Sequence, residues 1–150
     1  MSQEVFSNAV AQLGDCFTCV AGDVHTMHLN FKGAEFDTWH KLLGDLYKEL
    51  REDADALYEW AVAYGINAPN PNGAAARIEF QSTEGACDNT SAPYVLDVLL
   101  KQLLEYIVLM YCAANRAEND PLVYGLQDWL SGCLQRWTKQ AHYFNGRRMP

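Results

Sequence analysis

Apolar residues recur at alternating intervals of four and three positions along the first thirty residues of the chain. This rhythm is typical of an antiparallel or coiled-coil-like helix pair, because it keeps the apolar side chains on one face of a helix. It predicts a first helix over about residues 3–32, with Gly33 as its C-terminal cap. The apolar seam consists of Phe6, Val10, Leu13, Phe17, Val20, Val24, Met27 and Phe31.

The same rhythm resumes after a short turn and predicts a second helix over about residues 35–64. Glu35 and Asp37 suit its first turn, where the helix dipole favours acidic side chains, and Gly65 ends it. Asp53 interrupts the apolar seam once. The seam otherwise consists of Phe36, Trp39, Leu43, Leu46, Leu50, Leu57, Trp60 and Tyr64.

Residues 66–93 have a different composition, and begin with a segment rich in asparagine and proline that is typical of turns. We interpret them as a long crossover with room for a short helix over residues 74–80. Two further helices are predicted over about residues 94–115 and 121–144. Their apolar sides carry Val95, Val98, Leu99, Leu103, Tyr106, Ile107 and Met110, and then Leu122, Leu126, Leu130, Cys133, Leu134, Trp137, Ala141 and Phe144.

The predicted order of elements is two long helices, a long crossover and two more helices. The pattern predicts an all-α, ferritin-like four-helix bundle with one long crossover between its second and third helices. We expect residues 1–150 to form one such domain, since the chain is long enough for a single hydrophobic core.

Composition and charge argue against several classes of function. A formal net charge of −8 and a sequence pI near 4.8 argue against an electrostatic hold on nucleic acid or anionic lipid. No secretory signal pattern is visible, and no apolar run approaches the roughly 20 residues of a membrane span. Five cysteines, an odd number, indicate reduced thiols, so we expect a cytoplasmic protein. Cys16 and Cys19 lack a second pair that would complete a zinc site, and we interpret both as packing residues.

Four residues carry the candidate chemistry. His28 and His40 flank the predicted turn, each six residues from Ala34, so antiparallel flanking helices place both imidazoles at one level. Asp55 and Glu59 are four residues apart and therefore project from one face of the second helix. Two imidazoles and two carboxylates are a suitable ligand set for iron or a similar divalent metal.

The distance between the two pairs is as informative as their chemistry. Fifteen residues separate His40 from Asp55, which is roughly 22 Å along a straight helix. One copy of the hairpin therefore cannot bring all four side chains to one ion, whereas a second copy packed antiparallel can. We expect a metal site that two subunits share.

The stretch from His28 to His40 resembles the signature of the Dps family, the mini-ferritins that protect DNA in starved bacteria. That signature has a histidine, an asparagine two residues later, an apolar or aromatic residue, a basic residue and a glycine. A second histidine follows twelve residues after the first, then an acidic residue fifteen later and a glutamate four beyond. The matching residues here are His28, Asn30, Phe31, Lys32, Gly33, His40, Asp55 and Glu59. The helix pattern is similar over the whole chain, but the motif itself spans only residues 28–65.

The resemblance implies an assembly and an activity. Proteins of the family form hollow dodecamers, and ferrous iron binds between two-fold-related subunits, with histidines from one and carboxylates from the other. Hydrogen peroxide, or more slowly oxygen, oxidises the iron, and ferric oxide collects in the cavity, which protects the cell from oxidative damage. By this resemblance the protein is a ferroxidase whose catalytic residues and iron ligands are His28, His40, Asp55 and Glu59.

The sequence departs from the family at three points, the first being Leu29, where the family often has a tryptophan after the first histidine. The family usually has a further aspartate four residues after the second histidine, where this chain has Gly44 with Asp45 beside it. One ligand, or one contact that supports a ligand, is therefore missing or moved. The family's DNA binding often uses a lysine-rich N-terminal arm, which this chain lacks, and Arg147 and Arg148 form only a weak basic tip.

Alternatives to the iron-oxidising interpretation stay open. Gly44 and the missing basic arm also fit a ferritin-like structural or DNA-associated shell protein with a weakened metal site. Apart from the matching spacings, Asp55 and Glu59 are part of an acidic, solvated helix face. His25, three residues before His28, fits a surface residue better than an auxiliary ligand, and both interpretations stay open. A di-iron site inside one bundle needs Glu-x-x-His pairs, and none occurs in this sequence.

Overall fold

The computed structural model describes residues 3–83, 87–115 and 120–147. Within these ranges the chain is helical and forms no β-strand, apart from one isolated bridge between Phe31 and Cys87. A 3-10 turn at Pro71–Gly73 precedes the short helix of the crossover. The helices in chain order are α1 (Gln3–Asn30), α2 (Phe36–Ala63), α3 (Ala74–Ile78), α4 (Ala92–Asn115) and α5 (Pro121–Asn145). The all-α, ferritin-like four-helix bundle with one long crossover is thereby confirmed.

The predicted seams form most of the core. Every residue of the α1 seam is buried, and so is the α2 seam apart from the half-buried Trp60 and from Phe36, which is 44% exposed. On α4, Val98 and Tyr106 lie on the outer surface, so their assignment to the core side was wrong. Apolar residues occur on more than one side of α4, and periodicity alone does not distinguish which side faces the core. The side chain of Leu122 lies outside the described residues.

The crossover holds the turn between α1 and α2. Helix α1 ends at Asn30, two residues earlier than expected, because the N–H of Lys32 donates to the carbonyl of Cys87 at 3.0 Å. Gly33, with φ of 99°, and Glu35, with φ of 62°, then reverse the chain in left-handed conformations. Only glycine adopts that region without strain, so Gly33 shapes the turn rather than capping the helix directly. This turn sets the relative level of the two helices that carry the histidines.

A buried polar network ties the crossover to α1 and α2. Arg77 of α3 donates to both carboxylate oxygens of Asp15 at 2.7 and 2.9 Å, and the hydroxyl of Tyr58 donates to the same carboxylate at 2.6 Å. Burial and the bond to Asp15 raise the pKa of Tyr58, which keeps it a neutral donor. Farther along, the carboxylate of Asp23 accepts from the backbone N–H of Thr83 at 3.0 Å. These hydrogen bonds hold the crossover against α1 at Arg77 and at Thr83.

Asp53, the acid that interrupts the α2 seam, joins α2 to α5. Its buried carboxylate accepts from the indole N–H of Trp137 at 2.7 Å and from two guanidinium nitrogens of Arg136 at 3.0 and 3.1 Å. A buried carboxylate is tolerated when its lone pairs are occupied in this way. Asp53 therefore interrupts the apolar seam of α2 because its carboxylate holds α2 against α5.

Four of the five cysteines are buried, and all five are free thiols. Burial, as the largest cause, raises the pKa of Cys16 to about 12 and that of Cys19 to about 11. Both thiols therefore stay protonated and pack between helices, and neither acts as a thiolate ligand. None of the helices in the described part of the chain is long and apolar enough to cross a membrane.

Candidate metal site

His28 and His40 face each other across the α1–α2 hairpin. Their ring centroids are 3.8 Å apart, and the ring planes are inclined by 21°. The Nδ1 atom of His28 lies 2.7 Å from the carbonyl oxygen of His40, and the Nδ1 atom of His40 lies 3.0 Å from the carbonyl oxygen of His28. We call this reciprocal pair of hydrogen bonds between His28 and His40 the histidine clasp.

The histidine clasp determines which ring nitrogen is available to a ligand. A carbonyl oxygen can only accept, so each Nδ1 must carry the proton. In a neutral imidazole the free lone pair is then on Nε2. Histidines that bind metals are commonly oriented by such a bond from the second nitrogen. The clasp is therefore preorganised to offer two Nε2 lone pairs at one end of the bundle.

His25, one turn before His28, packs beside the clasp. It is half-buried, and its ring stacks on Tyr47 with centroids 4.3 Å apart. Its Nδ1 lies 3.3 Å from a guanidinium nitrogen of Arg51, which can only donate. Burial, and then the charge of Arg51, lower the pKa of His25, so this ring favours the neutral form. We assign His25 to packing and not to the ligand set.

Gly44 lies directly against the clasp. A Cβ atom at this position would stand 3.1 Å from Cε1 and 3.2 Å from Nδ1 of His28. The glycine therefore leaves the space in which the two rings stack. Asp45, the neighbouring acid, does not replace the family's aspartate, because its carboxylate turns away and forms an exposed ion pair with Lys41 at 2.8 Å.

Gly44→Ala is expected to weaken divalent metal binding by about tenfold, as changes in the groups that support a ligand commonly do. The added Cβ forces the His28 ring to shift and disturbs its bond to His40. Gly22→Ala is the matched control, because a Cβ at Gly22 of α1 meets nothing within 4 Å. The control should gain up to about 1 kcal/mol of stability from helix propensity. Calorimetric titration with Co²⁺ checks both variants, and unchanged affinity in Gly44→Ala would contradict the role given to the ring position.

Asp55 and Glu59 lie on the exposed side of α2, away from the clasp. Both border a depression of about 370 Å³ that is otherwise lined by apolar residues of α2 and the crossover together with Tyr58. No hydrogen bond or ion pair joins either carboxylate to another side chain within the described ranges. In residues 3–83, 87–115 and 120–147, no three histidine, cysteine, aspartate or glutamate side chains gather into a group that could hold a metal. One chain thus keeps the two candidate ligand pairs apart, and we call each pair a half-site of the candidate metal site.

Two polar clusters in the structure had almost no signal in the sequence. Asp53 was visible only as an interruption of a seam, and its partners Arg136 and Trp137 lie more than eighty positions away. Asp15 and Arg77 are 62 positions apart, and nothing in either segment pointed to the other. Both clusters support the helices that carry the half-sites, and neither belongs to the candidate metal site.

Arg147 does not form a free basic tip. Its guanidinium carbon lies 5.5 Å from the ring centroid of Trp39 and 4.8 Å from that of Tyr143, and it donates to the Tyr143 hydroxyl. These cation–π contacts commit the side chain to packing at the end of α5. Arg148, the other residue of the expected tip, lies outside the described residues.

Comparison with solved structures identifies the fold. DpsA14 from Streptomyces coelicolor superposes with a TM-score of 0.83 at 18% identity, over 93% of this chain and 81% of that one. A Dps protein from Vibrio cholerae O1, described as a member of a broad superfamily of ferritin-like diiron-carboxylate proteins, gives 0.83 at 18% identity, over 96% and 89%. A Dps protein from Bacillus brevis gives 0.82 at 18% identity, over 97% and 98%. The chain therefore has the Dps fold.

At the level of sequence, no family model and no curated protein matches this chain. Structural likeness at such low identity establishes the fold alone, since one fold can support several functions. The chemistry of the two half-sites therefore has to indicate what the protein does.

Proposed function

We propose that the protein is a Dps-like mini-ferritin, which binds ferrous iron between two subunits, oxidises it and stores it as ferric oxide. The histidine clasp is the observation that carries this proposal. It leaves two Nε2 lone pairs at one end of α2, whereas Asp55 lies roughly 22 Å and Glu59 roughly 28 Å further along the same helix. Two such chains packed antiparallel combine the four side chains twice, and the Dps fold supports this arrangement.

The combined ligand set suits ferrous iron as a substrate. His28 and His40 bind as neutral donors, and Asp55 and Glu59 of the second subunit balance the 2+ charge. Hard carboxylate oxygens stabilise the ferric product more than the ferrous substrate, so the ligands favour loss of an electron. Hydrogen peroxide accepts one electron from each of two ferrous ions, and oxygen can replace it as a slower oxidant.

A shared site makes assembly part of the function. We infer a homo-oligomer, and by its likeness to the Dps proteins a hollow dodecamer with iron sites at its two-fold interfaces. The net charge of −8 per chain attracts cations to such a shell. A role in iron storage and protection against oxidative damage in the cytoplasm follows from this proposal.

The double variant His28→Ala/His40→Ala is expected to abolish ferrous oxidation, because both imidazole ligands are lost from every site. Ferrous iron is added anaerobically, then hydrogen peroxide, and ferric absorbance is followed. His142→Ala is the matched control, since His142 lies exposed near the end of α5, outside both half-sites. Oxidation at the wild-type rate by the double variant would remove the assignment.

Gly44 favours one other candidate function, a ferritin-like structural shell with a weakened metal site. Where the Dps signature has an acid, this chain offers only Asp45, whose carboxylate is held by Lys41. Native mass and metal analysis on one iron-loaded sample separates the two functions, because a structural shell would assemble without retaining iron. DNA association is less favoured, given the net negative charge and the packing of Arg147.

A further inference from the structure

Phe36 leaves an apolar surface exposed beside the histidine clasp. One face of its ring stacks on His40, with centroids 5.1 Å apart, while 44% of the residue remains open to solvent. Leu29, next to His28, is 65% exposed. Single exposed apolar residues are ordinary, but these two adjoin the clasp histidines, Leu29 as the neighbour of His28 in the chain and Phe36 by its stacking on His40.

A depression with a largely apolar lining lies beside the other half-site, Asp55 and Glu59. Asp55 and Glu59 form its polar side, and apolar residues of α2 and of the crossover form the rest. Val62, at its edge, is 51% exposed. The apolar lining residues are Val62, Ala68, Pro69 and Pro71.

The proposed metal site fixes the register between two copies of α2. In a two-fold antiparallel pair, the numbers of facing residues have a constant sum. Placing His40 opposite the level midway between Asp55 and Glu59 sets that sum near 97. Phe36 then comes to the level of Val62 of the second copy, because Phe36 lies about 6 Å beyond His40 and Val62 lies about 7.5 Å beyond the midpoint of Asp55 and Glu59 along their helices.

Charges along the exposed side of α2 favour this register only in part, since Asp45 comes opposite Glu52 of the second copy, although Lys41 already pairs with Asp45 within its own chain. Lys41 comes opposite Asp55 of the second copy, and both are exposed. Lys48 comes close to its own symmetry mate at the axis, where Glu52 of each copy lies within one helical turn and offsets the repulsion. Each contact occurs twice, because the interface is isologous.

We propose that Phe36 of each subunit packs into the depression beside Asp55 and Glu59 of a second copy of the chain. Apolar contact then assembles the interface before any metal binds, and the four ligands are already together when iron arrives. This inference rests on the proposed shared site and adds the contact that selects the partner. The occupant is a second copy because the register that joins the half-sites also joins Phe36 to Val62.

A cysteine reporter at the two-fold axis tests the contact without using activity. The reporter is Lys48→Cys in a Cys112→Ser background, which removes the single exposed native thiol. A bis-maleimide with a short spacer, added with a metal chelator present, is expected to cross-link most chains as dimers. Phe36→Asp should lower the dimer fraction at least fivefold, and Phe36→Leu should restore it. Leu109→Asp on α4 is the control, since Leu109 is also an exposed apolar residue, at 65% exposed against 44% for Phe36, and lies on another helix.

Two results would overturn the inference. Cross-linking that persists in Phe36→Asp would show that Phe36 does not hold the interface, and cross-linking that requires added Co²⁺ would show that metal assembles it. The test also separates this inference from the proposed function. The reporter combined with His28→Ala and His40→Ala should still cross-link, whether or not the parent protein oxidises iron.

Discussion

Mixing two inactive variants is expected to restore about a quarter of the wild-type rate of ferrous oxidation. One variant carries His28→Ala and His40→Ala, and the other carries Asp55→Asn and Glu59→Gln. In a pair that contains one chain of each kind, one shared site receives both intact halves and the other receives neither. Random pairing from equal amounts makes about half of the pairs mixed, so about a quarter of all sites are complete.

A second mixture makes the result decisive. Wild-type chains are combined in equal amounts with chains that carry all four substitutions. Shared sites predict about a quarter of the wild-type rate, because mixed pairs then contain no complete site, whereas sites within one chain predict about half. Chains are co-expressed or unfolded and refolded together, and ferric absorbance is followed. No recovery in the first mixture together with half the rate in the second would show that each chain holds its own site.

Asp53→Ala is expected to destabilise the protein by about 1–3 kcal/mol, the cost of leaving a buried donor unsatisfied, because the charge of Arg136, whose side chain is 42% exposed, stays hydrated. The substitution leaves the buried indole N–H of Trp137 without its acceptor and takes both carboxylate oxygens away from Arg136. It also leaves a small cavity between α2 and α5. Urea unfolding followed by circular dichroism measures the loss, at one protein concentration because assembly contributes to stability.

Asp55→Ala is the matched control for Asp53→Ala. Asp55 lies two residues further along the same helix and is exposed, without a hydrogen bond or ion pair to any described side chain. Its substitution should change the free energy of unfolding by no more than about 0.5 kcal/mol, while it weakens iron binding. Equal destabilisation by the two substitutions would contradict the structural role of Asp53.

The long helices followed from local patterns because each seam repeats a helical period along one segment. The seam from Phe6 to Phe31 is buried throughout, and periodicity was sufficient for it. Periodicity failed at Val98 and Tyr106, since α4 carries apolar residues on its outer side as well. The end of α1 at Asn30 was missed because the pairing with Cys87 comes from the crossover, which is distant in the chain.

Residue spacing likewise predicted one part of the candidate site, and packing between helices determined the other part. Equal spacing about Ala34 predicted that His28 and His40 lie at one level, and helix geometry predicted the separation from Asp55 and Glu59. The reciprocal bonds of the clasp could not be predicted, because they depend on ring rotation and on two backbone carbonyls meeting across a turn. The contact between Gly44 and the His28 ring is likewise a matter of packing between two helices.

By itself, the sequence determined that this protein is a bundle of four long helices and that one chain cannot complete the candidate metal site. Both conclusions depend only on positions along a helix, whose geometry is fixed. Only the tertiary structure decided that Nε2 is the free nitrogen of both histidines, and that Asp53 is buried while Asp55 is exposed. Hydrogen-bond partners and burial come from other segments, so no local pattern contains them.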